Sequence, residues 1–166
     1  PSGEEGSRLL GIAGVMGGAY SEVEDSTTDI LLEAAHFDAV SVARSSRRHK
    51  LHSEAAKRFE RGTDPLLPAV AAQRAVDLLV QYGGGQADPA VFDLNTLPAP
   101  TSYEFALSDA ERLTGVSYSP ERVCELLEQV GCVLEDIDGQ RVRVTPPSWR
   151  PDLTGSAHFV EEIARL

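Results

Sequence analysis

A run of loop-forming residues past the middle of the chain divides it into two small domains. The segment QADPAVFDLNTLPAP, residues 86–100, contains three prolines, and proline cannot continue a helix or a central strand. The chain has 166 residues, of which 42% are hydrophobic, so the two parts can each bury a small core. We predict one domain over residues 1–88, a linker over 89–100 and a second domain over 101–166.

The composition excludes some classes of protein. The formal net charge is −11, whereas a protein that coats nucleic acid is usually basic. No apolar run is long enough to cross a bilayer, and the first ten residues lack the pattern of a secretory leader. We therefore expect an intracellular protein without a membrane partner. Cys124 and Cys132 lie among apolar neighbours and are predicted to be buried core thiols.

The segment GIAGVMGG places four glycines within eight residues. Its spacing matches neither the dinucleotide-binding pattern nor a P-loop, so a nucleotide site is disfavoured. Two interpretations remain open from the residues alone. The glycines either form a bulged strand with a tight turn, or they keep the backbone bare so that a ligand can approach closely.

The following segment, TTDILLEAAHF, predicts a buried strand because its apolar residues are nearly continuous. Glu33 is the acid within that apolar run. It is either an edge-strand residue that points to water or a pocket acid kept for recognition.

A basic segment comes next, and residues 44–61 hold seven of the fifteen basic residues of the chain. These are Arg44, Arg47, Arg48, Lys50, Lys57, Arg58 and Arg61. They form either a solvated face balanced by nearby acids or a phosphate contact. Composition alone favours the solvated face.

Helix signals in the first part indicate two helices. Ser53 is a candidate N-cap for a helix over residues 54–61, which Gly62 ends. A second helix is predicted to begin at Asp64 and Pro65 and to close at the glycines 83–85.

The second part predicts two helices followed by a hairpin, which is a winged-helix-like module. Ser108 with Glu111 suggests a capping box, and a second helix is predicted from Ser119. Asp138 and Gly139 form the strongest short hairpin signal in the chain. Three glutamates disfavour DNA recognition by the second helix, namely Glu121, Glu125 and Glu128. The closing segment HFVEEIARL ends in mid-helix, so we expect a piece of a longer chain.

Three segments in the same order resemble the beta subunits of bacterial phenylalanyl-tRNA synthetases. They are GIAGVMGG, LLEAAHFDAVSVARSSRRHKLHSEAAKRFERGTDP and VTPPSWRPDLTGSAHFVEEIAR. The resemblance covers nearly the whole chain and is weakest in the linker. It implies an α+β chain, in which the carboxyl part of a mixed α/β tRNA-editing domain is followed by a winged-helix-like module.

The resemblance also implies a pocket that receives a mischarged tyrosyl group. By that similarity Gly14 and Gly17 are pocket glycines, Glu33 recognises the tyrosine hydroxyl, and Ser53 and Ala55 lie in the pocket wall. Serine stands at residue 53 where the family usually has threonine, so the hydroxyl is kept and a methyl is lost. No nucleophile or general base is assigned, and His36, His49 and His52 are interpreted as surface or packing residues.

A magnesium site is implied near the end of the chain. Asp152, Glu161 and Glu162 match family acids, whereas His158 stands where an aspartate is common. Magnesium prefers hard oxygen ligands, so we expect weak binding here. The intact enzyme would use Mg²⁺ and ATP, and neither is expected to bind this fragment tightly.

The resemblance therefore predicts a cytoplasmic ligase fragment that acts with an alpha subunit, in an alpha2beta2 assembly, and with tRNA. It would serve phenylalanyl-tRNA formation and the hydrolytic editing of tyrosyl-tRNA, while being inactive in aminoacylation on its own. The alternative is a noncatalytic module that binds the other subunit or nucleic acid.

Overall fold

The chain forms two compact units. A computed structural model describes residues 9–166, and the division between the units falls between Asp93 and Leu94. The described part combines helices with two small antiparallel sheets, which confirms the predicted α+β class. Within residues 9–166 none of the helices is long and apolar enough to cross a membrane.

The first unit begins with a hairpin built on the glycine run. Strand β1 (Gly11–Ile12) pairs antiparallel with β2 (Met16–Gly17). The Val15 amide donates to the Ile12 carbonyl at 2.9 Å, which closes the turn. Gly14 lies in this turn with a φ of +69°, a left-handed conformation that glycine adopts at little cost. The turn interpretation of the glycine run is therefore correct at this residue.

Two short helices pack beside the hairpin. Helix α1 (Ala39–His49) begins at Asp38, whose carboxylate accepts from the Ser41 amide, and α2 (Glu54–Glu60) begins at Ser53 as predicted. Gly62 follows α2 with a φ of +86°, which also agrees with the prediction. The core between these elements consists of Val15, Val42 and Ala56, with Ile12, Phe37, Leu51 and Phe59 packed around it.

Helix α3 (Leu67–Gly83) begins later than the sequence predicts. The Asp64 carboxylate accepts from the Leu66 amide at 2.9 Å, and the Asp64 carbonyl accepts from the Leu67 amide. Asp64 and Pro65 therefore form a turn before the helix. Gly84 ends the helix in the left-handed conformation with a φ of +71°, within the predicted closing glycines.

The buried strand predicted for TTDILLEAAHF is wrong. Residues 27–37 contain no strand, and the Leu31 side chain is 98% exposed. A strand is stable only when another strand pairs with its backbone, and both sheets of the described residues are formed by other segments. Glu33 is consequently exposed as well.

The second unit surrounds a three-stranded antiparallel sheet. Its strands are β3 (Tyr103–Ala106), β4 (Val133–Asp136) and β5 (Arg141–Thr145), with β5 in the centre. The hairpin predicted at Asp138 and Gly139 joins β4 to β5 and is confirmed. The sequence analysis missed β3, a short edge strand of alternating burial that directly follows the loop-rich segment.

Three helices cover this sheet. They are α4 (Asp109–Thr114), α5 (Pro120–Gln129) and α6 (Ser156–Arg165). The core includes Phe105, Leu126, Leu127, Phe159 and Ile163, and Phe159 meets Phe105 edge to face with ring centroids 5.7 Å apart.

Of the two helix caps predicted for the second unit, one is confirmed and the other is wrong. The Ser119 hydroxyl accepts from the Arg122 amide at 3.2 Å and caps α5 as expected. The capping box at Ser108 is wrong, because Ser108 already has helical dihedrals and its side chain makes no capping bond.

Both cysteines are reduced thiols that pack at the core of the second unit. Cys132 is buried and Cys124 is half-buried. Burial raises the pKa of both thiols, so they stay protonated at neutral pH. Cys132 agrees with its prediction as a buried core thiol, whereas Cys124 packs against the core without being fully buried.

The turn at Gly14 provides a test of the first unit. A methyl group there would come within 2.9 Å of Val42 Cγ2 and 3.0 Å of Phe37 Cδ2, in addition to the strained φ. Gly14→Ala should therefore lower the free energy of unfolding of this unit by about 1–3 kcal/mol. Hydrogen exchange of the amides of α1 and α2 measures this loss.

Gly17→Ala is the matched control, because a methyl group on Gly17 meets nothing within 4 Å. It should change the stability by less than about 0.5 kcal/mol. The fluorescence of Trp149, the single tryptophan, reports on the second unit and should not change in either variant. Equal exchange in the two variants would contradict the packing assigned to Gly14.

Candidate functional site

Ser53 joins the glycine hairpin to α2. Its hydroxyl donates to the Val15 carbonyl at 2.6 Å and accepts from the Ala56 amide at 3.1 Å. Ser53 has extended dihedrals, so its side chain can reach back to the first turn of the helix. One small polar residue thus satisfies a carbonyl of the hairpin and an amide of the helix.

Gly14 lies against the same core. Val42, Phe37 and Phe59 surround the position that its side chain would occupy. The space beside Gly14 is therefore filled by the protein's own side chains. Of the five residues predicted for the pocket, the structure brings Gly14 and Ser53 together through Val15. Val15 directly follows Gly14 in the turn, and its carbonyl accepts the hydrogen bond from Ser53.

The other three predicted residues lie at the surface. Gly17, Glu33 and Ala55 are exposed. An open groove beside Gly17 is lined by Met16, Gly17, Gly18, Ala19, Ser21 and Glu22, and by none of the other predicted pocket residues. Glu33 makes no hydrogen bond or ion pair within residues 9–166.

One histidine makes a contact that the sequence did not predict. His36 Nδ1 lies 3.0 Å from Thr63 Oγ1, which links the segment before α1 to the loop after α2. Both partners are polar and the bond lies at the surface. The contact therefore fits the interpretation of His36 as a packing or surface residue.

An ion cluster around the buried Glu162 organises the end of the second unit. Arg150 binds Asp152 through two nitrogens, with Nε 2.9 Å from Oδ1 and Nη2 2.6 Å from Oδ2. The same Nη2 donates to Glu162 Oε1 at 2.9 Å, and Arg165 Nη2 donates to the other oxygen of Glu162. Glu162 is only 6% exposed, so both of its oxygens need these donors.

The guanidinium groups favour the charged carboxylates of this cluster. The hydrogen bonds from Arg150 lower the pKa of both Asp152 and Glu162, and Arg165 adds to the effect on Glu162. The carboxylates in turn raise the pKa of Arg150. The cluster is therefore fully ionised at neutral pH.

The residues predicted for magnesium do not fit a metal site in this chain. Arg150 lies between Asp152 and Glu162 and supplies the positive charge there. Glu161 is exposed, and His158 Nδ1 lies 3.3 Å from Thr154 Oγ1. Within the described part of the chain, no three His, Cys, Asp or Glu residues are grouped so as to hold a metal ion.

The sequence analysis missed the part played by Arg150 and Arg165. A signal was present, because Glu162 lies three residues after Phe159 and directly before Ile163, on the apolar stripe of a helix. An acid on such a stripe needs a cation, and Arg165 follows it at the i+3 spacing.

Comparisons with known proteins place both units. Residues 4–84 match the B3/4 domain, and residues 103–166 match the tRNA synthetase B5 domain. The phenylalanine–tRNA ligase beta subunit of Bifidobacterium longum is 48% identical over 166 residues, which are 100% of this chain and 19% of that protein. The corresponding subunit of Streptomyces avermitilis is 52% identical over 161 residues, which are 95% of this chain and 19% of that protein. The chain thus spans about a fifth of the length of these relatives.

The two hydrogen bonds of the Ser53 hydroxyl can be tested by removing that hydroxyl. Ser53→Ala should destabilise the first unit by about 1–2 kcal/mol, because the α2 amide loses its cap and the Val15 carbonyl loses its donor. Ser53→Thr keeps the hydroxyl and should retain most of the stability. Exchange of the Ala56 amide measures both effects, and equal exchange in the two variants would contradict the cap.

The ion cluster predicts a second, larger effect. Arg150→Met should destabilise the second unit by about 2–4 kcal/mol, because Glu162 would stay buried with one partner. Arg143→Met is the control, since its partner Glu135 is exposed, and it should cost less than about 1 kcal/mol. Urea unfolding followed by Trp149 fluorescence compares the two variants.

The effect of Arg150→Met should also depend on pH. Since the pKa values of Asp152 and Glu162 are lowered in the folded state, the cluster stabilises the fold fully above their unfolded values of about 4. The stabilisation is lost as pH falls through the lowered values. The difference between wild type and Arg150→Met should therefore shrink in acid, and a constant difference would exclude an ionic origin.

Proposed function

The chain belongs to the family of phenylalanine–tRNA ligase beta subunits, and from this we propose that it contributes to the ATP-dependent joining of phenylalanine to its tRNA in the cytoplasm. The observation that carries the proposal is the match of the whole chain at 48% identity, with the B3/4 and B5 domains in order. Its partners would be tRNA and the alpha subunit, and the complete ligase would use ATP and Mg²⁺. Alone, the chain is proposed to be inactive in aminoacylation.

We further propose that the first unit takes part in removing tyrosine from mischarged tRNA. An apolar site for phenylalanine rejects tyrosine poorly, because a hydroxyl adds little volume. A second site that offers a carboxylate to that hydroxyl selects the error, since phenylalanine would leave the carboxylate unpaired. Glu33 supports this role because its carboxylate is free of partners within residues 9–166.

The surroundings of Glu33 define what the site still needs. A carboxylate discriminates well only when water is excluded from it. Here Glu33 is exposed, and the neighbouring Leu31 and Leu32 also present apolar surface to solvent. We propose that other parts of a full-length subunit cover this segment and close the pocket around Glu33, Gly17 and Ala55.

Gly14 and Ser53 would then support the pocket from the side of the small core. Gly14 lies against the side chains of the small core, and Ser53 fixes the hairpin to α2. A rigid support of this kind holds the groove beside Gly17 at a constant position relative to α2. Ala55 lies in the first turn of that helix.

Hydrolysis of preformed tyrosyl-tRNA by a full-length beta subunit paired with its alpha partner tests the editing proposal. Glu33→Ala should slow this reaction by roughly tenfold to a hundredfold, since a hydrogen bond to a charged group contributes about 1.5–3 kcal/mol. Charging with phenylalanine should be nearly unchanged. Glu24→Ala removes the same charge from another exposed position and should leave both reactions intact.

The outcomes separate the proposed functions. Wild-type deacylation by Glu33→Ala would reject the editing role of Glu33. Loss of charging and deacylation together would indicate faulty folding or assembly. A wild-type assembly that charges tRNA but hydrolyses no tyrosyl-tRNA would favour the alternative, in which this part of the subunit is a noncatalytic interaction module.

A further inference from the structure

The positive charge of this acidic chain is concentrated on α1. Residues 44–61 carry seven basic and two acidic residues, a net charge of +5, so the remaining residues together carry −16. We call Arg44, Arg47, Arg48 and Lys50 the basic face. They belong to the helix and to the single residue that ends it.

The geometry of α1 presents these side chains to solvent. Val42 and Ser46 are buried and define the inner side of the helix. Arg47 and Arg48 follow Arg44 at the i+3 and i+4 spacings, which place all three on one outer stripe. Lys50 ends the helix in the left-handed conformation with a φ of +55°, and it too is exposed.

Acidic residues do not balance the basic face. In α1 and α2 the one ion pair among the described residues is Lys57 with Glu54. Arg47 Nε donates to the Ala43 carbonyl. Asp38 has its pKa lowered mainly by its capping bonds with Ser41, and Arg44 adds a smaller effect without forming an ion pair. The solvated-face interpretation predicts nearby acids that balance these cations. Within residues 9–166 the structure shows no ion pair to the basic face.

A purely structural role explains part of the basic face. Cations in the last turn of a helix stabilise it through the helix dipole, and Arg47, Arg48 and His49 lie there. Lys50 is the C-cap residue at the same end, whereas Arg44 lies in the middle of the helix, where this effect is small. The helix dipole thus accounts for three members of the basic face and leaves Arg44 unexplained.

We propose that the basic face binds the sugar-phosphate backbone of RNA, and the RNA is the tRNA of the proposed function, on which this identification rests. Guanidinium groups match phosphate oxygens and gain affinity by releasing counterions. The remaining residues together carry a net negative charge, which repels RNA and directs its attraction toward this basic segment. The aromatic residues of the neighbouring core, Phe37 and Phe59, pack on each other, so the face offers phosphate contacts without base stacking.

Salt dependence of tRNA binding tests this surface. The protein is a full-length beta subunit with its alpha partner, and the probe is fluorescently labelled, uncharged tRNA titrated between about 50 and 200 mM salt. The triple variant Arg44→Gln, Arg47→Gln, Arg48→Gln should reduce the magnitude of the negative slope of log affinity against log salt by about two to three. Its affinity should fall most at low salt.

Two matched variants identify the cause. Arg112→Gln, Arg122→Gln, Arg143→Gln removes the same charge from exposed ion pairs in the second unit and should leave the slope unchanged. Replacing Arg44, Arg47 and Arg48 by lysine keeps the charge and should restore most of the slope. If the triple glutamine variant unfolds α1, the single Arg48→Gln variant should lower the slope by about one.

The results distinguish this surface from the function on which it rests. Normal tRNA binding with an unchanged slope in the Arg44, Arg47, Arg48 variant would overturn the basic face alone. An equal change in the second-unit variant would overturn it too, because the effect would follow total charge. Absence of tRNA binding by the wild-type assembly would overturn both the proposed function and this surface.

Discussion

The first unit depends on a turn that has room for a hydrogen atom and no larger group. Gly14 lies where three core side chains converge, and its left-handed φ lets the hairpin reverse direction there. Ser53 then fixes the turn to α2 through the Val15 carbonyl. Gly14 therefore acts by packing, while the groove at Gly17 is the place where bare backbone meets solvent. Two glycines three residues apart thus have opposite physical roles.

The second unit depends on a different constraint. Its helix α6 contributes core side chains and also buries the acid Glu162. Glu162 lies beside Phe159 and Ile163, so the packing that places them in the core also removes Glu162 from water. Arg150 and Arg165 make this tolerable by donating to both oxygens. Because Arg150 also holds Asp152, the loop before α6 is fixed to the helix. Two of the three acids predicted as metal ligands, Asp152 and Glu162, are here partners of arginine.

The difference between prediction and structure follows from the range of each interaction. Local signals gave the cap at Ser53, the stops at Gly62 and Gly84, and the hairpin at Asp138, because each depends on a few neighbouring residues. The strand predicted for residues 27–37 depends on a pairing partner, which apolar composition cannot supply. The engagement of Glu162 by Arg150, twelve residues away, was likewise invisible to spacing rules. For the predicted pocket, the sequence indicated Ser53 and Gly14 as special residues but could not show that they touch the same core.

In the proposed function, charge and specificity are divided between different parts of the first unit, and this division has a mechanistic reason. A tRNA must be attracted over long distances without being selected by its amino acid, and exposed arginines on α1 suit that role because their attraction is strong and insensitive to sequence. Selection of tyrosine needs one carboxylate at short range in a dry site. A cation within bonding distance of Glu33 would neutralise this carboxylate in advance, and no ion pair to it exists in residues 9–166. Under this proposal, keeping the cations on α1 and the acid in the preceding segment lets one unit attract an anion and still offer a negative charge to a hydroxyl.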